Sequence, residues 1–346
     1  MNRECPRSED IRTARGQEYY QVPVRATASH PAAGRKQCGA NKNFALNNME
    51  QGAQWRGLWD ASQQGLVHVL QNLRQSKSFS KNQLALALRV AVWNDHAGAV
   101  GLLLSMTGTL FTGWGAANYV VFPRVGPKYT MLHLAALHDS AGAARALLCA
   151  HANVDQFDAS MRGTPAAVAA ELGHVAVLEL LILAGADTHR NTARGMSPLF
   201  AAAHAGHCAA VQLLVSANAD VDSKDWFGNT PVVCAAAEGH MQVVLILLEA
   251  RASPHEEPCL QRGRGHPARP PLVAAARHGH LGIVRLLLLQ KVDVGAHDRF
   301  IGDRAIGVAA TFRNFDVIRA LVSAKANVHG LDRRRANAVQ QAIDAD

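Results

Sequence analysis

The sequence predicts an all-α solenoid of stacked helix–turn–helix units with β-turn fingers, on three observations. The dipeptides Thr164-Pro165, Ser197-Pro198 and Thr230-Pro231 recur at a fixed interval of 33 residues. Each opens an Ala-rich stretch that closes on Gly-His. Each Gly-His then leads into an aliphatic run: VAVLELLIL at 175–183, CAAVQLLV at 208–215 and MQVVLILL at 241–248. A period in this range means stacked supersecondary units, none of which buries its apolar face alone.

The elements of the unit follow in order. Positions equivalent to Thr164 fall at Thr130, Thr164, Ser197, Thr230, Pro270 and Arg304, in steps of 34, 33, 33, 40 and 34. Thr or Ser there is an N-cap residue, and the Pro after it suits the first helical position. Pro270 and Arg304 lose that cap, which predicts poorer order at those two helix starts. Small side chains follow at 134–136, 168–170, 201–203, 234–236, 274–276 and 308–310, so neighbouring backbones can approach closely. A glycine at 173, 206, 239 and 279 supplies the positive φ that ends the first helix; the end repeats replace Gly-His with Asp139-Ser140 and Arg313-Asn314. The aliphatic runs have helical spacing and form the second helix. Ala186-Asp187, Ala219-Asp220-Val221, Val292-Asp293-Val294 and Ala326-Asn327-Val328 turn the chain into the next extended finger.

This arrangement resembles the ankyrin repeat, whose first helix opens on T-P-L-H-x-A. Thr130-Met131-Leu132-His133-Leu134-Ala135 matches that opening except at Met131, and Thr164-Pro165 and Ser197-Pro198 match its first half. Residues 93–104 align with 137–148, which extends the pattern toward the N-terminus. The resemblance implies an ankyrin-repeat domain over residues 55–346, with a degenerate cap at 55–80. Repeats follow at about 84–127, 128–161, 162–194, 195–227, 228–267, 268–301 and 302–334, then a partial repeat at 335–346. Residues 1–50 fall outside the pattern and read as a disordered N-terminal segment.

Composition agrees with a large Ala-rich helical core: 49% hydrophobic, 18% charged and 5% aromatic residues. The net charge is +8, and the excess gathers toward the C-terminus, where residues 299–335 carry eight cations against three anions. Such a flank attracts nucleic acid, anionic membrane or acidic protein, or is simply a solvated surface. Six cysteines lack C-x-x-C spacing, so neither a zinc site nor a disulfide framework is indicated, and reduced, intracellular conditions are the simpler reading. No apolar run of transmembrane length and no secretory core is present. The expected localisation is cytoplasmic or nuclear.

Several chemical signals fail on spacing. His255, Cys259 and His266 give three ligands in no recognised zinc pattern. The histidines at 133, 174, 207, 240 and 280 each hold a repeat position, so structural hydrogen bonding accounts for them better than catalysis. No G-x-x-x-x-G-K-[ST] loop occurs, and no Ser-His-Asp constellation is implied. No cofactor, metal or catalytic residue is therefore expected.

By resemblance, partners dock on the concave face, formed by finger tips and the exposed side of each first helix. The candidate partner-binding residues there are Phe157, Met161, Arg162, Arg194, Lys224, Trp226, Phe227, Arg277, His278, Arg299 and Phe300. Trp226-Phe227 is the most informative pair, because two large aromatics at a turn tip either form a binding hot spot or fold back onto the neighbouring finger. Two insertions, around 107–127 and 253–269, are further places for function or are merely tolerated loops. The expected activity is a non-catalytic protein–protein interaction module: an adaptor, scaffold or regulatory subunit, monomeric, with a protein partner of unknown identity. The alternatives are a nucleic-acid-binding protein using the basic C-terminal flank, and a regulatory repeat fragment of a larger enzyme that continues past Asp346.

Overall fold

The computed structural model describes residues 55–76, 79–107, 120–121, 129–157, 163–192, 194–255, 269–296 and 304–329. They all belong to one compact unit within Met49–Asp346. The segment expected to be disordered (1–50), Met161, Arg162, Arg299, Phe300, most of both insertions and the partial repeat at 335–346 lie outside the described residues.

Eight helix pairs follow one another among the described residues. They are α1 (55–64) with α2 (Val67–Ser76), α3 (Lys81–Trp93) with α4 (Ala97–Thr107), and α5 (Met131–Leu137) with α6 (Ala141–Cys149). Next come α7 (Pro165–Leu172) with α8 (Val175–Leu183), α9 (Pro198–Ala205) with α10 (Cys208–Ser216), and α11 (Pro231–Glu238) with α12 (Met241–Glu249). The last are α13 (Pro271–Arg277) with α14 (Leu281–Leu289), and α15 (Ala305–Thr311) with α16 (Phe315–Ser323). A two-residue antiparallel ladder, β1 (Val120–Val121) with β2 (Tyr129–Thr130), precedes α5. From α3 onward, first helices pack on first helices, and second helices pack on second helices all along the chain, giving two layers with one continuous core.

The two layers use side chains differently. In α7 every residue from Pro165 to Ala170 is buried, because the helix touches a first helix on each side and its own second helix behind. The small residues at 166–170 suit so close an approach on three sides. In the second helices burial is confined to a stripe, Val177, Leu178 and Leu181 in α8, repeated as Val243, Val244 and Leu247 in α12. That spacing is one face of a helix.

Helix starts follow the cap chemistry with one correction. The side chains of Thr130, Thr164 and Ser197 accept from His133 N, Ala167 N and Phe200 N. Thr230 has cap backbone angles (φ −94°, ψ 164°), but its side chain accepts no such bond. It is only half-buried, so water can meet the hydroxyl that the fully buried Thr164 must satisfy internally. Pro270 and Arg304 make no side-chain cap either. Ser80, by contrast, forms a full capping box with Gln83 and starts α3 at Lys81, three residues ahead of the repeat boundary read at 84. Thr164→Ala should therefore cost about 1 kcal/mol and Thr230→Ala only a few tenths, on paired thermal or urea melts.

A polar ladder ties the repeats together at the turn between helices. His174 Nδ1 donates to Ala136 O at 2.8 Å, and His207 Nε2 to Glu171 O at 3.1 Å. His240 Nε2 reaches His204 O at 3.1 Å, and His280 Nε2 reaches Ala237 O at 3.0 Å. A carbonyl can only accept, so each bond fixes the tautomer of its imidazole. Asn314 replaces the histidine in the last pair and donates to Ala276 O at 2.9 Å. Ser140 is too short to do so: its buried hydroxyl has no partner among the described residues, and Asp95 bridges that junction instead by accepting from Ala143 N at 2.7 Å. These bonds satisfy carbonyls left open at the ends of the first helices. They set those ends in one row.

Candidate functional site

The finger tip at 225–229 is built around one carboxylate. Asp225 Oδ1 accepts from Phe227 N at 2.9 Å and Asn229 N at 2.8 Å, and its Oδ2 accepts from Asn229 Nδ2 at 3.2 Å. Two backbone bonds close the loop, Gly228 N to Asp225 O and Asp225 N to Asn229 O, both 3.0 Å. Burial pushes the Asp225 carboxyl above its ordinary value, against the pull of its bonds from Asn229, Phe227 and Gly228. The two residues this turn presents are open to solvent: Trp226 is 67% exposed and Phe227 is 51% exposed.

Trp226 folds back in part onto the neighbouring finger. Trp226 N donates to Arg194 O of the preceding finger at 3.2 Å, and the indole edge lies over Gly195. One edge is thus seated on the neighbouring finger, while the rest of the ring faces water. A ring positioned before a partner arrives loses little freedom on binding. Arg194 is exposed beside it, and Lys224 is half-buried on the approach to the tip.

The other candidates divide. Phe157 lies beneath the Arg190 guanidinium, 4.7 Å from the ring centroid, so those two fingers are already coupled. Arg277 stands 4.8 Å over the Phe312 ring, which joins the ends of α13 and α15. His278 is exposed and stacks at 6.1 Å on His280. Further along the row, Leu172 presents its side chain to solvent.

Two features escaped the sequence reading. Trp93, at the end of α3, lies against His138 with centroids 3.8 Å apart and ring planes tilted by 32°, an extension of the row toward the N-terminus. Its equivalence to Leu137 was the available signal. Cys234 Sγ lies 3.4 Å from His204 Nδ1, a pair that looks nucleophilic by composition. Burial pushes this thiol up to about 12, with the Glu238 and Asp225 charges adding to the effect. At neutral pH it remains a thiol, and a thiol is not the attacking species.

Burial also holds His138 below the ordinary histidine value, with the charges of His174 and Arg89 pushing the same way. The unfolded chain then binds the extra proton more readily, so stability contributed by neutral His138 is present above pH 6.5 and is lost as pH falls toward the lower folded value. The melting temperature should decline on acidification through that window, and His138→Gln should flatten the decline.

Among the described residues no group of three His, Cys, Asp or Glu could hold a metal, and no helix is long and apolar enough to cross a membrane. Comparison with known proteins gives a consistent picture. Residues 166–258 match the family model for ankyrin repeats in three copies, and residues 269–299 match the model for a single ankyrin repeat. The solved human ASB11 ankyrin repeat domain is similar at 26% identity and a TM-score of 0.55, over 62% of this chain and 92% of that one. None of the curated proteins matches the chain.

Proposed function

Since this chain is an ankyrin-repeat protein, we propose that it is a non-catalytic adaptor, scaffold or regulatory subunit that binds a partner protein along its finger tips and the row of first-helix ends. Ankyrin repeats are generally protein–protein interaction modules, and the fold is typically non-catalytic. The observation that carries the reading is the Trp226-Phe227 tip: two large aromatics exposed on a turn closed by the half-buried Asp225 carboxylate. Aromatic and Arg side chains in such positions supply most of the energy of protein interfaces. Arg194 and Lys224 flank the pair, and Leu172, Arg277, His278 and Phe312 continue it along the row.

Affinity capture from a cell extract, read by mass spectrometry, tests this with the wild-type chain and a Trp226→Ala, Phe227→Ala double variant in parallel. A defined set of proteins retained by the wild type and lost by the variant is expected. An identical set on both baits would count against the finger tip as the docking point.

A further inference from the structure

The second-helix layer carries a surface that the partner-binding row does not use. Arg251, Lys291 and Lys325 occupy the same left-handed turn position after α12, α14 and α16, at φ 66°, 56° and 62°. Arg285 and Arg319 occupy the same position within α14 and α16. All five side chains are exposed. Equivalent positions in stacked repeats form columns about 8–10 Å apart, the spacing of packed helices. The cations are therefore registered across three repeats. Glu249 and Asp316 are the acids exposed on these three helices, with Asp293 exposed two residues past Lys291, and Asp316 is engaged by Arg319 at 3.8 Å.

Large apolar side chains stand among these cations. Leu289 is 78% exposed and Phe315 is 70% exposed, with Val322 half exposed beside Arg319. Leu289 lies one turn from Arg285, and Phe315 one turn from Arg319, so each helix shows a cation and an apolar residue on one side. A polynucleotide would use the cations through its phosphates but would gain little from Leu289 and Val322. An anionic bilayer surface uses both, with headgroups meeting Lys and Arg while apolar side chains enter the headgroup–acyl boundary. We propose that the second-helix face of α12, α14 and α16 is a peripheral docking surface for anionic membrane lipid, independent of the partner-binding row.

Co-sedimentation of the full chain with vesicles tests it, using phosphatidylcholine alone and an equimolar mixture with phosphatidylserine. Wild type should favour the anionic vesicles, and Arg285→Gln with Arg319→Gln should weaken that binding by about 25-fold, at about fivefold per charge. Leu289→Ser with Phe315→Ser should weaken it without altering its salt dependence, and Trp226→Ala with Phe227→Ala should leave it unchanged. All four surface positions are exposed, so melting curves should confirm intact folds. Equal partitioning into both vesicle types, or wild-type binding by either surface pair, would overturn the proposal. So would tight capture of polyuridylate that only the charge pair reduces, since that outcome assigns the face to polynucleotide.

Discussion

Gly239→Val should lower the melting temperature by roughly 6–12 °C, from a loss of about 3 kcal/mol or more. Three terms combine. Gly239 sits at φ 86°, where a β-branched residue is strained. A Cβ there would come within 2.7 Å of His280 Cε1. Moving that ring also breaks the bond from His280 Nε2 to Ala237 O, leaving a first-helix carbonyl open. Gly185→Ala is the control. It shares the left-handed backbone, at φ 85°, but has nothing within 4 Å of the added carbon. It should cost only the backbone strain, about 1–2 kcal/mol. Equal shifts for the two variants would show that the histidine contact contributes nothing.

The double substitution Trp226→Ala, Phe227→Ala should weaken partner affinity by at least about 30-fold, the equivalent of one strong hot-spot residue, about 2 kcal/mol. The two positions are adjacent, so their effects will not simply add. Stability should barely change, because most of both rings faces water while the Asp225 turn is held by bonds the substitutions leave in place. Far-UV CD and a melt alongside the titration separate the two effects. Undiminished affinity with an intact fold would remove the finger tip from the interface.

The helical framework was legible because it rests on local chemistry repeated at a fixed interval. Thr164, Ser197 and the glycines after the first helices act within one turn of their own backbone, and a sequence displays such relations directly. The role of the histidines was legible only in outline: their periodicity pointed to structure, whereas the acceptor of each, a carbonyl 36 to 43 residues away, depends on how the repeats stack. Thr230 shows the limit of a local rule, since partial access to water changes what a capping hydroxyl needs. The site was less legible than the frame. Trp226 and Phe227 stood out by type. The Asp225 turn beneath them is as local as a helix cap, closed by the Phe227 and Asn229 backbone N–H groups two and four residues on, whereas the Trp93–His138 contact that lengthens the row joins side chains 45 residues apart and depends on how the repeats stack.

In the proposed complex a protein partner covers the finger tips and first-helix ends. Hydrogen–deuterium exchange is measured on the chain alone and with its captured partner. Slowed exchange is expected at the 225–229 tip and at the ends of α7 and α13, with exchange around Lys291 and Lys325 unchanged. Protection confined to the turns after α14 and α16, with the 225–229 tip exchanging as in the free chain, would contradict that arrangement.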